Sequence, residues 1–156
     1  MRLTTKGRYA VTAMLDLTLR SGAGPMSAPE ISKRHKISLP YLEQLCAKLS
    51  HHGLVESVHG PGGGYYLGRM PDDFSIADII GAVDEPTDST LCRGKLNCRD
   101  GERCMTHYLW ADLNSEIARY LGSISLSRLA ASQRERGASD PPPKVVQPPR
   151  ALVKRD

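Results

Sequence analysis

Three cysteines and a histidine lie close together in the second half of the chain, at Cys92, Cys98, Cys104 and His107. Thiolates and an imidazole are soft ligands for transition metals, and four of them can hold an iron–sulfur cluster. Zinc also accepts this ligand set, but structural zinc sites commonly use two cysteines separated by two to four residues, and that spacing does not occur here. The spacing therefore favours an iron–sulfur cluster and leaves zinc as an alternative.

A metal-free interpretation would make these thiols redox switches that form disulfides. The sequence shows no secretion signal, and clustered cysteines in a reducing compartment more often bind metal than pair with each other. With no apolar run long enough to cross a bilayer, we expect a cytoplasmic protein without a membrane partner. Cys46 stands apart from the cluster, at core spacing in a predicted helix, and is assigned to packing.

Charge is distributed unevenly along the chain. Lys and Arg outnumber Asp and Glu by eight to four in residues 1–68 and by six to three in 134–156, whereas residues 69–133 carry seven against ten. A basic lobe suits a polyanion such as nucleic acid, although a solvated basic face would look the same. There is no nucleophile paired with a base, and the glycine run at 60–64 lacks the lysine and helix of a nucleotide loop, so we do not expect an enzyme.

Hydrophobic periodicity predicts three helices in the first third of the chain. Apolar residues recur every three or four positions over 5–20, and a capping box of Ser27 and Glu30 begins a short helix over 27–36. A third helix is predicted over 38–51. Two short helices joined by a tight turn indicate a helix-turn-helix.

A β-hairpin is predicted directly after these helices. Residues 54–58 alternate as a half-buried strand, 60–64 form a glycine-rich turn, and 65–67 return as a second strand. A hairpin in this position is the wing of a winged helix-turn-helix.

The remainder is predicted to contain a short helix capped by Ser75, a polar loop over 84–101 that holds the cysteines, and a long helix over 106–124. The long helix carries a narrow apolar seam suited to homodimerisation, with packing against the first helix as the alternative. The predicted dimer-interface residues are Trp110, Leu113, Ile117, Tyr120 and Ile124.

The expected fold is therefore mainly α with a small β-hairpin, a winged helix-turn-helix plus a long dimerisation helix. We divide the chain into a DNA-binding domain (1–84), a cluster-binding loop (85–105), a dimerisation helix with a packing helix (106–133) and a disordered proline-rich basic tail (134–156).

Winged helix-turn-helix proteins read double-stranded DNA with the second helix in the major groove, and the wing reaches the backbone or minor groove. The predicted DNA contacts on and around that helix are Ser27, Ser38, Pro40, Tyr41, Glu43, Gln44 and Lys48. Those near the chain start are Arg2, Lys6 and Arg8, and those in the wing are His59, Gly60 and Pro61.

Four stretches carry a family resemblance: residues 1–11 (MRLTTKGRYAV), 41–45 (YLEQL), 60–65 (GPGGGY) and the cysteine loop. Together they closely resemble the IscR family of bacterial iron–sulfur cluster regulators, over about residues 1–130. The resemblance implies a homodimer that receives a 2Fe-2S cluster from the cluster-assembly machinery. Its cluster ligands would be Cys92, Cys98, Cys104 and His107.

The resemblance further implies a nucleoid-associated regulator whose cluster-bound form represses the operon for cluster assembly. The cluster-free dimer would bind a second class of promoter, with Glu43 disfavouring one class until the cluster is present. The sequence departs from the family at His59, where an arginine is usual, and at Pro40, where a serine is common. Alternatives are a nitric-oxide-sensing relative, which His107 argues against, and a zinc-stabilised nucleic-acid-binding module.

Overall fold

The computed structural model describes residues 4–83, 90 and 92–137. These residues form helices and one antiparallel hairpin, which confirms the predicted fold class of a winged helix-turn-helix followed by a long helix. The elements are α1 (Thr5–Leu19), a 3-10 turn (Ser21–Ala23), α2 (Ala28–His35), α3 (Leu39–His51), β1 (Val55–Val58), β2 (Gly64–Leu67), α4 (Ile76–Val83), α5 (His107–Gly122) and α6 (Leu126–Gly137).

The hydrophobic core lies between α1, α3, α4 and α6, and it is built from aliphatic side chains. Ala10 and Met14 of α1 are fully buried, as are Leu42 of α3 and Ile79 of α4. Gly7 lets α1 approach α4 closely, because a Cβ added there would lie 3.3 Å from the side chain of Ile80. Small residues on α1 therefore set the distance between these two helices.

The capping box predicted at the start of α2 is present. The Ser27 hydroxyl accepts from the amide of Glu30, and the Glu30 carboxylate accepts from the Ser27 amide at 3.1 Å. Lys36 ends α2 in the left-handed conformation (φ 54°), so the chain turns sharply into α3. Ser38 is the N-cap residue of α3, but its side chain makes no capping hydrogen bond.

A buried carboxylate also joins α1 to α2. Asp16 Oδ1 accepts from Arg20 Nε at 3.1 Å, and its Oδ2 lies 2.5 Å from Arg34 Nη1 and 3.0 Å from His35 Nε2. Burial by itself raises the pKa of Asp16, but the hydrogen bonds from Arg34 and His35 outweigh it and hold that pKa below its ordinary value. The ionised carboxylate thereby fixes the helix-turn-helix against α1.

The hairpin corrects one expectation. β1 pairs with β2 from Val55↔Leu67 to Val58↔Gly64, yet only Val55 of β1 is buried and Val58 is 43% exposed. The predicted alternation over 54–58 fails because the wing projects away from the core. At its base, the amide and carbonyl of Tyr65 bond to the backbone of Met26, and a Cβ on Gly64 would meet that backbone at 2.4 Å.

The second half departs from the predicted boundaries at two points. α5 ends at Gly122, and Ile124, expected as the last residue of the seam, follows the helix and packs against the core of its own chain. There its carbonyl accepts from the Ile76 amide at 2.9 Å. α6 continues to Gly137, so the first four residues of the predicted tail are helical, while 138–156 lie outside the described residues.

Candidate metal centre and nucleic-acid surface

The cysteine loop brings three of the four predicted ligands together. Cys92 Sγ lies 3.2 Å from Cys98 Sγ, and His107 Nδ1 lies 3.5 Å from Cys92 Sγ and 3.3 Å from Cys98 Sγ. These three ligand atoms all lie within 4.8 Å of one another. Cys92 and His107 are buried, with 7% and 4% of their surface exposed. This is a convergent set of soft donors, of which Cys92 and His107 are buried and Cys98 is half-buried.

Cys104 lies at the edge of this group rather than within it. Its thiol is half-buried, free, and 3.8 Å from the hydroxyl of Thr106. A hydrogen bond with Cys98 and others from Thr106 hold its pKa below the ordinary thiol value. The fourth predicted ligand is therefore adjacent to Cys98, on the more exposed side of the loop.

The loop is shaped so that polar groups surround the sulfur of Cys92. Burial raises the pKa of this thiol, but hydrogen bonds from Cys98 and Thr90 and from the backbone of Leu96 and Gly94 lower it to about 6. A thiol that ionises this readily is a good metal ligand, because metals bind the thiolate. Left-handed conformations at Arg93, Gly94 and Leu96 turn the chain around the sulfur.

These residues fit an iron–sulfur cluster by the chemistry of the donor set. Two thiols and an imidazole nitrogen converge in a buried site, a further thiol lies next to them, and no carboxylate joins them in the described group. Such soft ligands favour iron–sulfur clusters and zinc over magnesium or calcium. Cys92, Cys98 and His107, together with the neighbouring Cys104, are thus the residues that could hold the metal.

The metal site and the exposed face of α5 are adjacent, because His107 is the first residue of the helix and its only buried one. On the face that follows, Trp110 and Tyr120 are 40% and 61% exposed, and Leu113 and Ile117 are half-buried. Tyr108 and Leu109 are also exposed, so the apolar surface is broader than the predicted seam. Arg103 stacks on the Tyr108 ring at 4.4 Å and links the loop to the helix.

The start of α3 presents the predicted base-reading residues to solvent. Ser38, Pro40, Glu43 and Gln44 are all exposed. Tyr41 is half-buried and packs edge-on against Tyr9, with ring centroids 5.9 Å apart. The exposed residues form one face of the second helix of the helix-turn-helix, where a major groove would lie.

Two predicted DNA contacts have partners within the protein. Lys48 Nζ donates to the carbonyl of Val83 at 3.2 Å and so stabilises the end of α4. The Ser27 side chain is engaged with Glu30 in the capping box. These two residues have structural roles in addition to any contact with DNA.

Five of the remaining residues predicted to contact DNA are exposed to solvent. His59, Gly60 and Pro61 are exposed at the tip of the wing, and Lys6 and Arg8 are exposed at the start of α1. The wing turn is closed by the Gly63 amide, which bonds to the Gly60 carbonyl at 3.0 Å. Arg2 lies outside the described residues.

Sequence reasoning missed Thr90 as part of the metal site. Its hydroxyl is buried against Cys92 and accepts from the Gly94 amide at 2.9 Å. The only sequence signal was a hydroxyl residue two positions before a cysteine, which is too common to be informative. Cys46 was assigned correctly to packing: it is 1% exposed, and burial together with the charge of Glu43 raises the pKa of its thiol to about 11.

Comparison with known proteins identifies the class. The model of the Rrf2 family, described as iron-dependent transcriptional regulators, matches residues 3–132. The chain belongs to the Rrf2 family. It is therefore a transcription regulator with a winged helix-turn-helix. Within residues 4–83, 90 and 92–137, none of the helices has both the length and the apolar composition of a membrane span.

Its relatives within that family include the transcriptional regulator IscR of several bacteria. The chain is 54% identical over 140 residues to IscR of Xenorhabdus nematophila, which covers 90% of this chain and 85% of that protein. It is 52% identical over 133 residues to IscR of Escherichia coli O1:K1 / APEC, which covers 85% and 82%. The resemblance found in the sequence is confirmed.

Solved structures agree with this grouping. The structure of IscR from T. potens matches with a TM-score of 0.71 at 34% identity and covers 90% of this chain and 93% of that one. CymR, the global cysteine regulator of B. subtilis, matches with a TM-score of 0.71 at 33% identity and covers 85% and 98%. The fold is thus shared with regulators of different named roles, and the metal site must be judged on its own residues.

Proposed function

We propose that this regulator binds a 2Fe-2S cluster through Cys92, Cys98, Cys104 and His107 and controls promoters according to whether the cluster is bound. The observation that carries the proposal is the buried convergence of two thiols and an imidazole at the start of α5. A cluster held partly by histidine is lost more readily than one held by four cysteines, which suits a sensor. The similarity to proteins named IscR supports the same assignment.

The proposed target is a palindromic site on double-stranded DNA. Exposed residues of α3 would read bases, and the wing with the basic start of α1 would contact phosphates and the minor groove. Glu43 would oppose binding to one class of promoter, because a carboxylate facing base acceptors is repelled and loses its hydration. The cluster-bound form is proposed to repress genes for cluster assembly.

A homodimer is the proposed binding form. The apolar residues of α5 that are exposed in one chain would be covered by α5 of a second copy, with Trp110, Leu113, Ile117 and Tyr120 in contact. Two copies place two reading helices on the two halves of a palindrome. The proposed site of action is the bacterial cytoplasm and nucleoid, where the assembly machinery would supply the cluster.

The test is a visible absorption spectrum with iron, sulfide and zinc analysis on full-length protein purified without oxygen. Red-brown protein with equal amounts of iron and sulfide supports the proposal. Titration of operator DNA with the cluster-bound and the cluster-free protein then measures how much the bound cluster changes the affinity for the operator. The dissociation constant for the operator must be smaller than the ~10⁻⁴ to 10⁻⁶ M of non-specific binding at physiological salt.

A zinc site is the second candidate, because three donor atoms within 4.8 Å would also fit a single tetrahedral ion. Colourless protein with one zinc per chain would support it and contradict the iron–sulfur proposal. Specific binding to an operator would still identify a regulator, but one whose metal stabilises the loop instead of reporting a signal.

A further inference from the structure

The second helix of the helix-turn-helix, α3, is tied to α4 through a lysine side chain. Lys48 Nζ donates to the carbonyl of Val83, the last residue of α4, at 3.2 Å. Val83 is buried, and a cation is favoured at the carboxyl end of a helix. Lys48 lies one helical turn beyond Gln44 on the same face of α3, so the bond restrains the face that is proposed to read bases.

α4 is tied in turn to the helix that begins at the metal site. At the start of α4, the Ile76 amide donates to the carbonyl of Ile124 at 2.9 Å, and Ser75 and Ser125 pair as an isolated antiparallel bridge. Ile124 lies two residues after the end of α5, whose first residue is His107. α4 also packs against both α3 and α5. Helices joined by specific hydrogen bonds therefore connect the metal site to the reading face.

We infer that Lys48 is a positioning residue that couples the metal site to DNA reading, by holding α3 to α4 through its bond with Val83. The inference rests on the proposed function. His107 is held in place when it ligates the cluster, and the start of α5 is held with it. Packed helices and their hydrogen bonds can carry such a restraint from α5 through α4 to α3. Lys48 thereby acts on promoter choice through Val83 and not through a phosphate.

The test compares the affinity for DNA of the full-length protein with and without its cluster. The probe is duplex DNA selected by the cluster-bound wild type from a random-sequence pool. Fluorescence anisotropy at several salt concentrations gives the two dissociation constants, and their ratio measures the coupling. Lys48→Met keeps most of the length of the side chain and removes the amine. Lys33→Met is the matched control, because Lys33 is an exposed lysine of α2 and is not among the predicted DNA contacts.

We expect the two dissociation constants to differ about fivefold or more in the wild type and in Lys33→Met, and to become nearly equal in Lys48→Met. A lysine that only contacts a phosphate gives another pattern. Both dissociation constants then rise by the same factor, their ratio stays at the wild-type value, and the salt slope falls by about one. That pattern overturns the inference, and so does a Lys48→Met protein with wild-type affinities in both forms.

Amide hydrogen exchange provides a second readout that needs no DNA. Binding of the cluster should change the protection of α3 (Leu39–His51) in the wild type and in Lys33→Met, but not in Lys48→Met. A wild-type response in Lys48→Met overturns the inference even if the variant is less stable, because each protein is compared with its own cluster-free form.

Failure of the proposed function gives a different result. Wild-type protein that takes up no iron and sulfide, or whose affinity for DNA does not change with the cluster, overturns the proposed function and the role of Lys48 together. A wild-type ratio that persists in Lys48→Met overturns only the role of Lys48.

Discussion

The DNA-binding domain, residues 4–83, and the cysteine loop with α5 complete their contacts in different ways. The domain buries its apolar residues against each other and against Leu126 of α6, and it pairs its buried carboxylate, Asp16, within the chain. The loop and α5 instead present thiols to one another and large apolar side chains to solvent. The contacts of the first region are completed within the chain, whereas those of the second would be completed by the proposed cluster and the proposed second copy.

The largest effect is expected from Cys92→Ala, which should abolish metal binding in the loop and leave the DNA-binding domain folded. Removing the most buried thiol of the loop should abolish binding of iron and sulfide and the visible absorption. The DNA-binding domain does not depend on the loop, so Tm should fall by less than about 4 °C, or roughly 1 kcal/mol. Metal analysis and thermal unfolding followed by circular dichroism measure both.

A large fall in Tm for Cys92→Ala would show that the loop supports the fold, and the contrast between the regions would fail. Cys46→Ala is the matched control. It removes a buried thiol from the core of the DNA-binding domain, so it should lower Tm and leave the iron content unchanged.

The next effect is expected from Leu113→Asp on α5. A carboxylate at the centre of the apolar face should prevent two helices from burying it, so the protein should shift from a dimer to the 17.1 kDa chain. Light scattering coupled to size exclusion measures the mass. Ser115→Asp is the control, because Ser115 is exposed and lies two residues from Leu113, on the opposite side of the helix.

Dimers that persist in Leu113→Asp would mean that another surface holds the two copies together. If Leu113→Asp and Ser115→Asp both gave monomers, the effect would belong to added charge and not to the apolar face.

A smaller effect is expected from Asp16→Asn in the DNA-binding domain. The substitution leaves Arg34 and His35 without their anionic partner. We expect a loss of about 2–3 kcal/mol, less than the ~3–5 kcal/mol of a fully buried pair, because Arg20 and Arg34 stay partly hydrated. Chemical denaturation measures the free energy of unfolding, and iron content should not change.

The difference in stability between the wild type and Asp16→Asn should depend on pH, because the pKa of Asp16 is lowered. A carboxyl with a lowered folded pKa contributes its full stabilisation above its unfolded pKa of about 3.9 and loses it as pH falls through the folded value. The wild type should therefore exceed Asp16→Asn in stability at pH 5–8, and the two should converge below about pH 4. A constant difference down to pH 2 would contradict this. Asp112→Asn, at an exposed site, should change neither the free energy of unfolding nor its dependence on pH.

The smallest effect is expected in the wing, from His59→Arg. An arginine always carries a full positive charge, and a narrow minor groove attracts cations. Operator affinity should therefore rise about fivefold, or ~1 kcal/mol. Fluorescence anisotropy measures this; equal affinities of the two proteins would exclude the wing contact.

Local patterns predicted most of the fold. Ser27 and Glu30 lie three residues apart, so their capping box depends on little beyond the chain itself, and the periodicity of α1 and α4 matches the buried residues. The candidate group of Cys92, Cys98 and His107 could also be predicted, since its residues fall within sixteen positions, 92–107. Both signals are short-range in sequence.

Tertiary contacts account for what the sequence did not reveal. Val58 is exposed because the wing leaves the core, and Ile124 turns inward because its carbonyl meets the Ile76 amide. The contact of Lys48 with Val83 joins residues that are far apart in the chain. No periodicity encodes such pairs, and a basic residue on a reading helix looks the same whether it faces a phosphate or a helix end.

The sealed thiol of Cys46 gives the protein a built-in reporter of unfolding. With its pKa raised to about 11 and its sulfur closed off inside the DNA-binding domain, it is protected from alkylating reagents while the domain is folded. In the cluster-free protein, Cys92, whose pKa is lowered to about 6, and Cys104, whose pKa is also lowered, should react first. Counting labelled thiols by mass spectrometry would therefore follow opening of the domain through the fourth label alone, without a dye or an engineered probe.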